Sequence, residues 1–460
     1  MLLLAQYQIL YLSDFIALPF FILFWVVLIY AVKVIKYKDE EFSKYIIPAF
    51  LLRVVGSILT ALMYQYYYGY GDTFYYFIGA SDIFNQAFSN PAISLEMLSV
   101  PFENWSLEAK KAYTYGFFFS SPTESVVLRY GGLFGIFPGF GSYMGISLCF
   151  TSVSFLGTWL IYRVFTKIYP HLHKPLAYAV LFLPSMCFWS TGIMKDPLVM
   201  GGLGMLFYGL YHLLVKRGSS ILLCLAFIYI GFQLTFHIKK YTFMAFAPTF
   251  GFMLIYNFIL LVKNPTIRRV LVPFFLILSG LGFFGFVNFL SNYYAAFSLE
   301  GFLDEASKMQ WWLQYSTERD DGTGYSLGEY DPSFTGVLQL IPKSINVTLF
   351  RPYIWEARKI IVIPSAIEAF ITLLLTFYVI VIKVGVFRSL RISLGNPFVL
   401  FCLLFSLLFA FAVGFTSYNF GALARYKLPC LPFYLSAILF IYHHGQSAKT
   451  SKEKPSSLAH

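Results

Sequence analysis

The sequence predicts an all-α, polytopic membrane protein with about eleven transmembrane helices and surface-lying amphipathic helices in two external segments. The 460 residues are 58% hydrophobic and only 12% charged, which is more apolar than the composition of an average soluble domain. Several stretches reach the roughly 20 apolar residues that cross a hydrocarbon core of about 30 Å. The short alternating pattern that is typical of a transmembrane β-barrel is not found in the sequence.

Eleven apolar segments predict the spans, and two long polar segments interrupt them. The predicted spans are residues 13–36, 45–66, 142–165, 175–191, 197–215, 219–236, 242–262, 270–290, 363–384, 397–415 and 425–443. The long polar segments cover 67–141 and 291–362, and a polar tail covers 444–460. We interpret residues 1–460 as a single integral membrane domain.

The first span is predicted to be an anchor rather than a cleaved signal peptide. The apolar run from Phe15 to Val32 is long enough to span a membrane. No basic segment precedes this run, and no small-residue cleavage site follows it.

Cysteine spacing and charge distribution argue against several classes of site. The five cysteines fall inside or at the ends of predicted spans without metal-ligand spacing, so we expect them to pack in the core: Cys149, Cys187, Cys224, Cys402 and Cys430. The net charge of +11 is spread over loops rather than concentrated on one helix or tail, which argues against nucleic acid as a partner. No phosphate-binding loop, metal-binding helix or nucleophile elbow is recognised in the sequence.

The orientation follows from the basic residues of the short loops, which stay on the cytoplasmic side. Alternate loops are basic: Lys33, Lys36, Lys38 and Lys44; Arg163, Lys167 and Lys174; Lys216 and Arg217; Lys263, Arg268 and Arg269; Lys383, Arg388 and Arg391; Lys449, Lys452 and Lys454. The N-terminus is therefore predicted outside and the C-terminus inside, with 67–141 and 291–362 external.

Three clusters of cations lie at predicted external ends of spans, against this bias. They are Lys195 before the fifth span, Lys239 and Lys240 before the seventh, flanked by His237 and Tyr241, and Arg425 and Lys427 before the eleventh. Each of these helices is predicted to begin outside, where the partial positive charge of its N-terminus disfavours a cation by about 0.3–1 kcal/mol.

Two explanations account for these cations. One is a cationic pocket for the phosphate or pyrophosphate of a lipid-linked sugar, because helix N-termini and basic side chains both attract anions. The other is that each long side chain reaches the lipid headgroups separately, which is the more common situation for a single residue. The coincidence of three clusters favours the pocket for the set as a whole.

Asp196 has a local explanation of its own. An Asp followed by Pro197 is a typical N-cap and first residue of a helix, and we prefer this interpretation to a catalytic one. Asp196 nevertheless stays in the predicted binding set because it adjoins Lys195, for which no comparable local role is found.

The stretch "YGYGDTFYYFIGASDIFNQAF", residues 68 to 88, opens the first external segment. Its glycines predict a turn, after which Phe77, Ala80, Phe84 and Phe88 recur at helical spacing and predict a helix lying along the membrane surface. Asp72 either caps this helix or is the general base for a reaction at the membrane surface.

The second external segment contains "TERDDGTGYSLGEYD", which we interpret as a solvated mobile loop because Asp320, Asp321, Glu329 and Asp331 do not fit an EF-hand spacing. A weak site for a divalent cation is the alternative. The following "LFRPYIWEARK" predicts an interfacial helix with aromatic anchors, in which Arg351 either joins the cationic pocket or reaches the headgroups.

The stretch "GDTFYYFIGA" in the first large external segment resembles the GT-C superfamily of membrane glycosyltransferases, which use polyprenyl-phosphate sugars. "LPSMCFWSTGIMKDPL" and "NFGALARYKLPCLPF" are similar to segments of bacterial surface-polysaccharide polymerases and ligases. The resemblance covers about a tenth of the chain, and two spans precede the loop where the family has one. It implies that Asp72 activates the acceptor or helps to bind a metal.

The leading hypothesis is a glycosyltransferase or polysaccharide polymerase at the external face of a bacterial inner membrane, with a polyprenyl-linked saccharide as donor. Asp72 would take the proton of an acceptor hydroxyl, while the cations stabilise the departing phosphate. A divalent cation is an open alternative, and no other cofactor is expected.

Two other classes of function remain as alternatives. A transporter or flippase would use the cations to select anionic lipids, and would be expected to show broken helices and polar residues near the middle of the membrane. A structural subunit of an envelope assembly machine would use the aromatic residues and the two external segments as docking surfaces for protein partners.

Overall fold

A computed structural model describes residues 8–114, 116–137, 139–216, 219–264, 324–328 and 334–450, with isolated residues between 266 and 315. Over these residues the chain is helical and contains no β-strand, which confirms the all-α prediction. Two residues, Gly324 and Asn419, form an isolated bridge.

Eight helices of the described chain are long and apolar enough to cross a membrane. They are Leu12–Lys36, Glu41–Tyr68, Tyr143–Ile168, Lys195–Val215, Ile221–Ile238, Lys240–Leu260, Ile360–Lys383 and Pro397–Thr416. Each coincides within a few residues with a predicted span. Of the remaining three predictions, the span at 270–290 lies almost wholly outside the described residues, and the other two differ from the structure.

The helices group into two compact units, Met1–Phe243 and Met244–His460. The prediction of a single membrane domain stays a prediction. In the first unit the helices are α1 Leu12–Lys36, α2 Ile46–Leu62, α3 Asp72–Ser89, α4 Pro91–Ser99, α5 Leu107–Lys111, α6 Gly116–Ser120, α7 Pro122–Ile136, α8 Tyr143–Ile168, α9 His173–Val180, α10 Pro184–Trp189, α11 Lys195–Leu210 and α12 Ile221–Ile238.

The predicted span at 175–191 is wrong, because these residues form the two short helices α9 and α10. Pro184 has no N–H for the helical ladder and holds the preceding Leu183 in an extended conformation. The break frees the carbonyl of Leu181, which accepts a hydrogen bond of 3.1 Å from Arg53 on α2. Arg53 is fully buried, so it supplies a donor where neither water nor the helix can.

The helices α8 and α11 pack closely through glycines. A Cβ placed on Gly204 would lie 1.9 Å from the carbonyl oxygen of Gly157, and one on Gly157 would lie 2.3 Å from that of Met200. Only glycine allows the two backbones this approach, as at the small-residue interfaces of membrane helices. The contact sets the register between the two helices.

We expect Gly204→Ala to lower the free energy of unfolding by about 1–3 kcal/mol, because the methyl group meets backbone that cannot move aside. Gly251→Ala is the matched control, since a Cβ there has nothing within 4 Å and alanine is the better helix former. Unfolding of both variants in detergent micelles tests this prediction. Equal stability of the two variants would contradict the close packing.

The second unit begins within α13, Lys240–Leu260. Its other described helices are α14 Phe334–Phe350, α15 Ile363–Phe377, α16 Val386–Gly395, α17 Pro397–Thr416, α18 Phe420–Tyr426 and α19 Leu431–Thr450. The predicted span at 425–443 is therefore wrong in its boundaries: a turn at 427–430 separates the short α18 from α19, and α19 extends into the predicted tail. The interfacial helix predicted at "LFRPYIWEARK" is also wrong, because α14 ends at Phe350 and only the single turn Ile354–Glu356 follows.

All five cysteines are free and buried, as expected for residues that pack in the core.

Candidate functional site

A glycine turn places Asp72 at the start of α3. Gly69 and Gly71 have φ values of 70° and 145°, a region of backbone conformation that favours glycine. Gly71 occupies the cap position, so Asp72 lies in the first turn of the helix and not at its N-cap. The capping interpretation of Asp72 is therefore wrong, because the cap position lies one residue earlier, at Gly71. The Asp72 residue is exposed.

The apolar stripe of α3 packs on protein. Ala80, Ile83 and Phe84 are buried, and they lie against glycines of α7 at positions 131, 132 and 135. Of the stripe that was expected to lie on a membrane surface, only Phe88 is largely exposed. Packing of α3 on α7 holds Asp72 in a defined position relative to the residues at the start of α7.

Glu124, in the first turn of α7, connects α3 to α11. The hydroxyl of Tyr76 donates to Oε2 of Glu124, and Nζ of Lys195 donates to Oε1 at 2.5 Å. Nζ of Lys195 also lies 3.4 Å from the hydroxyl oxygen of Thr123. Tyr76 follows Asp72 by four residues, so the two side chains project from one face of α3. We call Asp72, Tyr76, Glu124 and Lys195 the Glu124 cluster.

Two members of the Glu124 cluster, Tyr76 and Glu124, were not recognised from the sequence. In the sequence, Glu124 follows "SPT", a pattern that predicts the start of a helix. Acidic residues are common in the first turn of a helix, so the pattern did not predict that Glu124 contacts Lys195. The structure thus joins one predicted site residue, Lys195, to two residues that no motif identified, and Asp72 lies four residues before one of them on the same helix.

Asp196 and Lys239 form a buried ion pair next to the Glu124 cluster. Their side chains are 5% and 6% exposed, and Nζ of Lys239 lies 2.5 Å from Oδ1 of Asp196. The cap interpretation of Asp196 is wrong, because α11 begins at Lys195 after Met194, and Asp196 turns to Lys239 instead. Lys195 at the start of α11 is 24% exposed, so it is more accessible than Lys239 at the end of α12.

Lys239 directly follows the last residue of α12, so it lies at a helix C-terminus, where the dipole favours a cation. The expectation that Lys239 opposes the dipole is therefore wrong. Lys240, the first residue of α13, is exposed, as is His237, whereas Tyr241 is partly buried. The two adjacent lysines thus have different surroundings.

In the second unit, Arg351 is neutralised by Glu356. Nε of Arg351 lies 3.1 Å and 3.0 Å from the two carboxylate oxygens of Glu356, and the N–H of Tyr353 donates to Oε2 at 2.8 Å. Burial raises the pKa of Glu356, but the hydrogen bonds from Arg351 and Tyr353 outweigh burial and hold that pKa below its usual range. The guanidinium of Arg351 also lies 5.3 Å from the ring of Phe420.

Arg425 and Lys427 lie at the C-terminal end of α18, in its last turn and directly after it. A helix C-terminus favours cations, so the expectation that these two residues oppose a helix dipole is wrong. Arg425 is partly buried. Lys427 is fully buried, its Nζ has no hydrogen-bond partner among the described residues, and the carboxylate of Glu368 interacts with it electrostatically.

The part of the chain that the structure describes contains no group of three or more His, Cys, Asp or Glu side chains placed to hold a metal ion. The acidic residues Asp320, Asp321, Glu329 and Asp331 lie outside the described residues.

No protein-family model matches the chain, and no curated protein or solved structure matches it either. The convergence of Lys195, Lys240, Arg425 and Lys427 on one cavity stays a prediction, since the first two residues belong to the first unit and the last two to the second.

Proposed function

We propose that the chain is a membrane glycosyltransferase or polysaccharide polymerase that takes a saccharide from a polyprenyl-linked donor at the external face of a bacterial inner membrane. The observation that carries the proposal is the Glu124 cluster, in which Glu124 contacts both Tyr76 and the accessible Lys195, and the exposed Asp72 lies four residues before Tyr76 on the same helix. Lys195 is the first residue of a candidate span, and its side chain stays 24% exposed while it pairs with Glu124.

In this proposal Asp72 accepts the proton of the acceptor hydroxyl as the sugar is transferred. Lys195 stabilises the phosphate that leaves, whose negative charge grows in the transition state. An ammonium group has three donors, and the contacts with Glu124 and Thr123 use two of them, so one is left for a phosphate oxygen. Glu124 and Tyr76 are positioning residues, because they hold the lysine in place.

The experiment that tests the proposal uses the purified full chain in proteoliposomes that contain a labelled polyprenyl-linked saccharide. Formation of a glycosylated acceptor together with release of the polyprenyl carrier is the expected result. If the intact donor moves between the leaflets and no product forms, the chain is a transporter and the proposal is wrong. Neither product nor movement, with protein that is folded and monodisperse, would favour a structural role.

Transport is the second candidate, because charged side chains are buried well inside two candidate spans. Arg53 is fully buried within Glu41–Tyr68, and Glu368 is 5% exposed within Ile360–Lys383. The interruption between α9 and α10 adds a broken helix, which together with intramembrane charge is common in transporters. These features are compatible with an enzyme, so the proteoliposome experiment decides.

The proposed orientation predicts which introduced cysteines a membrane-impermeant maleimide labels. Ser89→Cys and Ser326→Cys are expected to react in intact cells, whereas Ser220→Cys is expected to react only after permeabilisation. All three positions are exposed, and the five native cysteines are buried, so the background is low. Labelling of Ser220→Cys alone in intact cells would reverse the orientation and remove the external site.

A further inference from the structure

An apolar cavity of about 620 Å³ lies in the first unit between α1 and α8. Phe24, Trp25 and Val32 line it from α1, and Leu156 and Trp159 line it from α8. No charged side chain is among its described lining residues, and its volume is in the range of binding sites for small apolar molecules. Water in such a space has too few polar partners to be held there.

One wall of this cavity faces away from the protein. The apolar window of α1 is only 11% buried, and Phe24 and Leu28, which line the cavity, are 52% and 46% exposed. An apolar helix face that protein does not cover belongs in the hydrocarbon of a membrane. The cavity is therefore accessible to the lipid rather than to water.

Basic side chains adjoin one end of the cavity. The ring of Trp159 packs against Tyr37 and Phe42, with centroids 5.8 Å and 6.1 Å away. The guanidinium of Arg163 lies over the same two rings at 4.6 Å and 4.3 Å. Nζ of Lys36 lies 5.8 Å from the ring of Tyr37. The apolar wall thus continues directly into a cationic surface.

Four cations form this surface, which we call the basic rim: Lys36, Arg163, Lys167 and Lys216. Lys167 interacts electrostatically with Lys216 and Arg163, so the cations are close enough to repel one another. The carboxylate of Glu40 lies 4.0 Å from Arg163 and is 52% exposed, and the neighbouring Glu41 pairs with Lys44. Nε of Arg163 is buried and has no hydrogen-bond partner in the described chain. Such an excess of positive charge favours an anionic ligand.

The basic rim and the Glu124 cluster lie at opposite ends of one continuous helix. Lys195 is the first residue of Lys195–Val215, and Lys216 directly follows its last residue. A helix of 21 residues is roughly 30 Å long, about the thickness of a hydrocarbon core. A headgroup at the basic rim is therefore at the other membrane surface from the proposed transfer site, and it does not belong to the donor bound there.

We infer that the cavity and the basic rim together bind one anionic glycerophospholipid of the bilayer. An acyl chain fills the cavity between α1 and α8, where its burial is favourable for each methylene group. The phosphate lies among Lys36, Arg163 and Lys167, which attract anionic headgroups at a membrane surface. This inference does not depend on the proposed function, because none of the residues that form the cavity or the basic rim belongs to the Glu124 cluster.

Native mass spectrometry of the purified chain tests this, with phosphatidylglycerol, phosphatidylcholine and a polyprenyl phosphate added separately. We expect preferential retention of one phosphatidylglycerol. The variant Lys36→Gln/Arg163→Gln/Lys167→Gln is expected to lose about 100-fold in that preference, because each cation near the surface contributes roughly a few-fold to tenfold. Lys110→Gln/Lys111→Gln, which removes two exposed lysines elsewhere, is the control and should keep the preference.

A second variant tests the cavity. Leu156→Trp fills it and is expected to weaken retention of both phospholipids by about tenfold or more, since two excluded methylene groups account for that factor. Leu222→Trp, at a residue that is 79% exposed and outside the cavity, is the control. Equal retention of the two phospholipids, an unchanged preference in the triple variant, or tighter retention of the polyprenyl phosphate would each overturn the inference. If Leu156→Trp does not fold, the triple variant still decides.

Discussion

Replacing Asp72 by asparagine is expected to lower the rate of sugar transfer by about 10²–10⁴-fold while the protein stays folded. Asparagine keeps the shape of the side chain but cannot accept the proton of the acceptor hydroxyl. Asp72 is exposed and is not the N-cap of α3, and asparagine has nearly the same size, so the substitution disturbs the packing of the helix little. Loss of a first-turn acid costs about 0.3–1 kcal/mol through the helix dipole, which is too small to unfold the chain.

The measurement is transfer from a polyprenyl-linked donor, with yield and melting temperature compared for wild type and variant. Glu108→Gln is the matched control, because Glu108 is also an exposed acid in the first turn of a helix in the same segment. It should leave the rate unchanged. Normal turnover of the Asp72→Asn variant would show that another group carries the chemistry and would leave Asp72 without a catalytic role.

Removing either partner of the Asp196–Lys239 pair is expected to lower the free energy of unfolding by about 3–5 kcal/mol. Both side chains are almost fully buried, so Lys239→Met removes the ammonium group that pairs with the Asp196 carboxylate, and Asp196→Leu removes the carboxylate that pairs with the Lys239 ammonium. The double variant should recover most of the loss, because burying two apolar side chains leaves no unpaired charge. Denaturant unfolding in detergent micelles measures all three variants.

The exposed pair of Lys44 and Glu41 provides the control for this cycle. Their side chains are 53% and 71% exposed and lie 3.1 Å apart, so water screens the interaction. Lys44→Met is therefore expected to lower the free energy of unfolding far less than Lys239→Met does. If Lys239→Met costs as little as Lys44→Met, or if the double variant loses the sum of the two single losses, the pair is not the structural contact that its burial indicates.

The spans were the part of the fold that sequence reasoning predicted best. Eight of the predicted spans coincide with long apolar helices, because the length and hydropathy of a segment are local properties of the chain. The wrong prediction at 175–191 also has a local cause. Pro184 interrupts the helical hydrogen bonds, but the segment is apolar throughout and its composition alone predicts a single span. Arg53, which compensates for that break, lies 128 residues away from Leu181.

The candidate site was predicted in part. Asp72 and Lys195 were proposed from the sequence, but Glu124 and Tyr76, which the structure joins to Lys195, carry no motif. The dipole argument failed for Lys239, Arg425 and Lys427 because it depended on where each helix begins and ends. Shifting a boundary by one or two residues moves a cation from the start of one helix to the end of another.

By itself the sequence determined that the chain is helical and apolar enough to lie in a membrane, and that a few charges lie at the ends of its spans. Only the tertiary structure decided which charges meet. Glu124 is 71 residues from Lys195, and Asp196 is 43 residues from Lys239. In the sequence, a lysine in a buried pair looks the same as one that reaches a lipid headgroup. The packing of α11 against its neighbours decides which of the two environments a lysine has. Helix packing depends on contacts between residues that are distant in the chain, so the sequence alone does not show it.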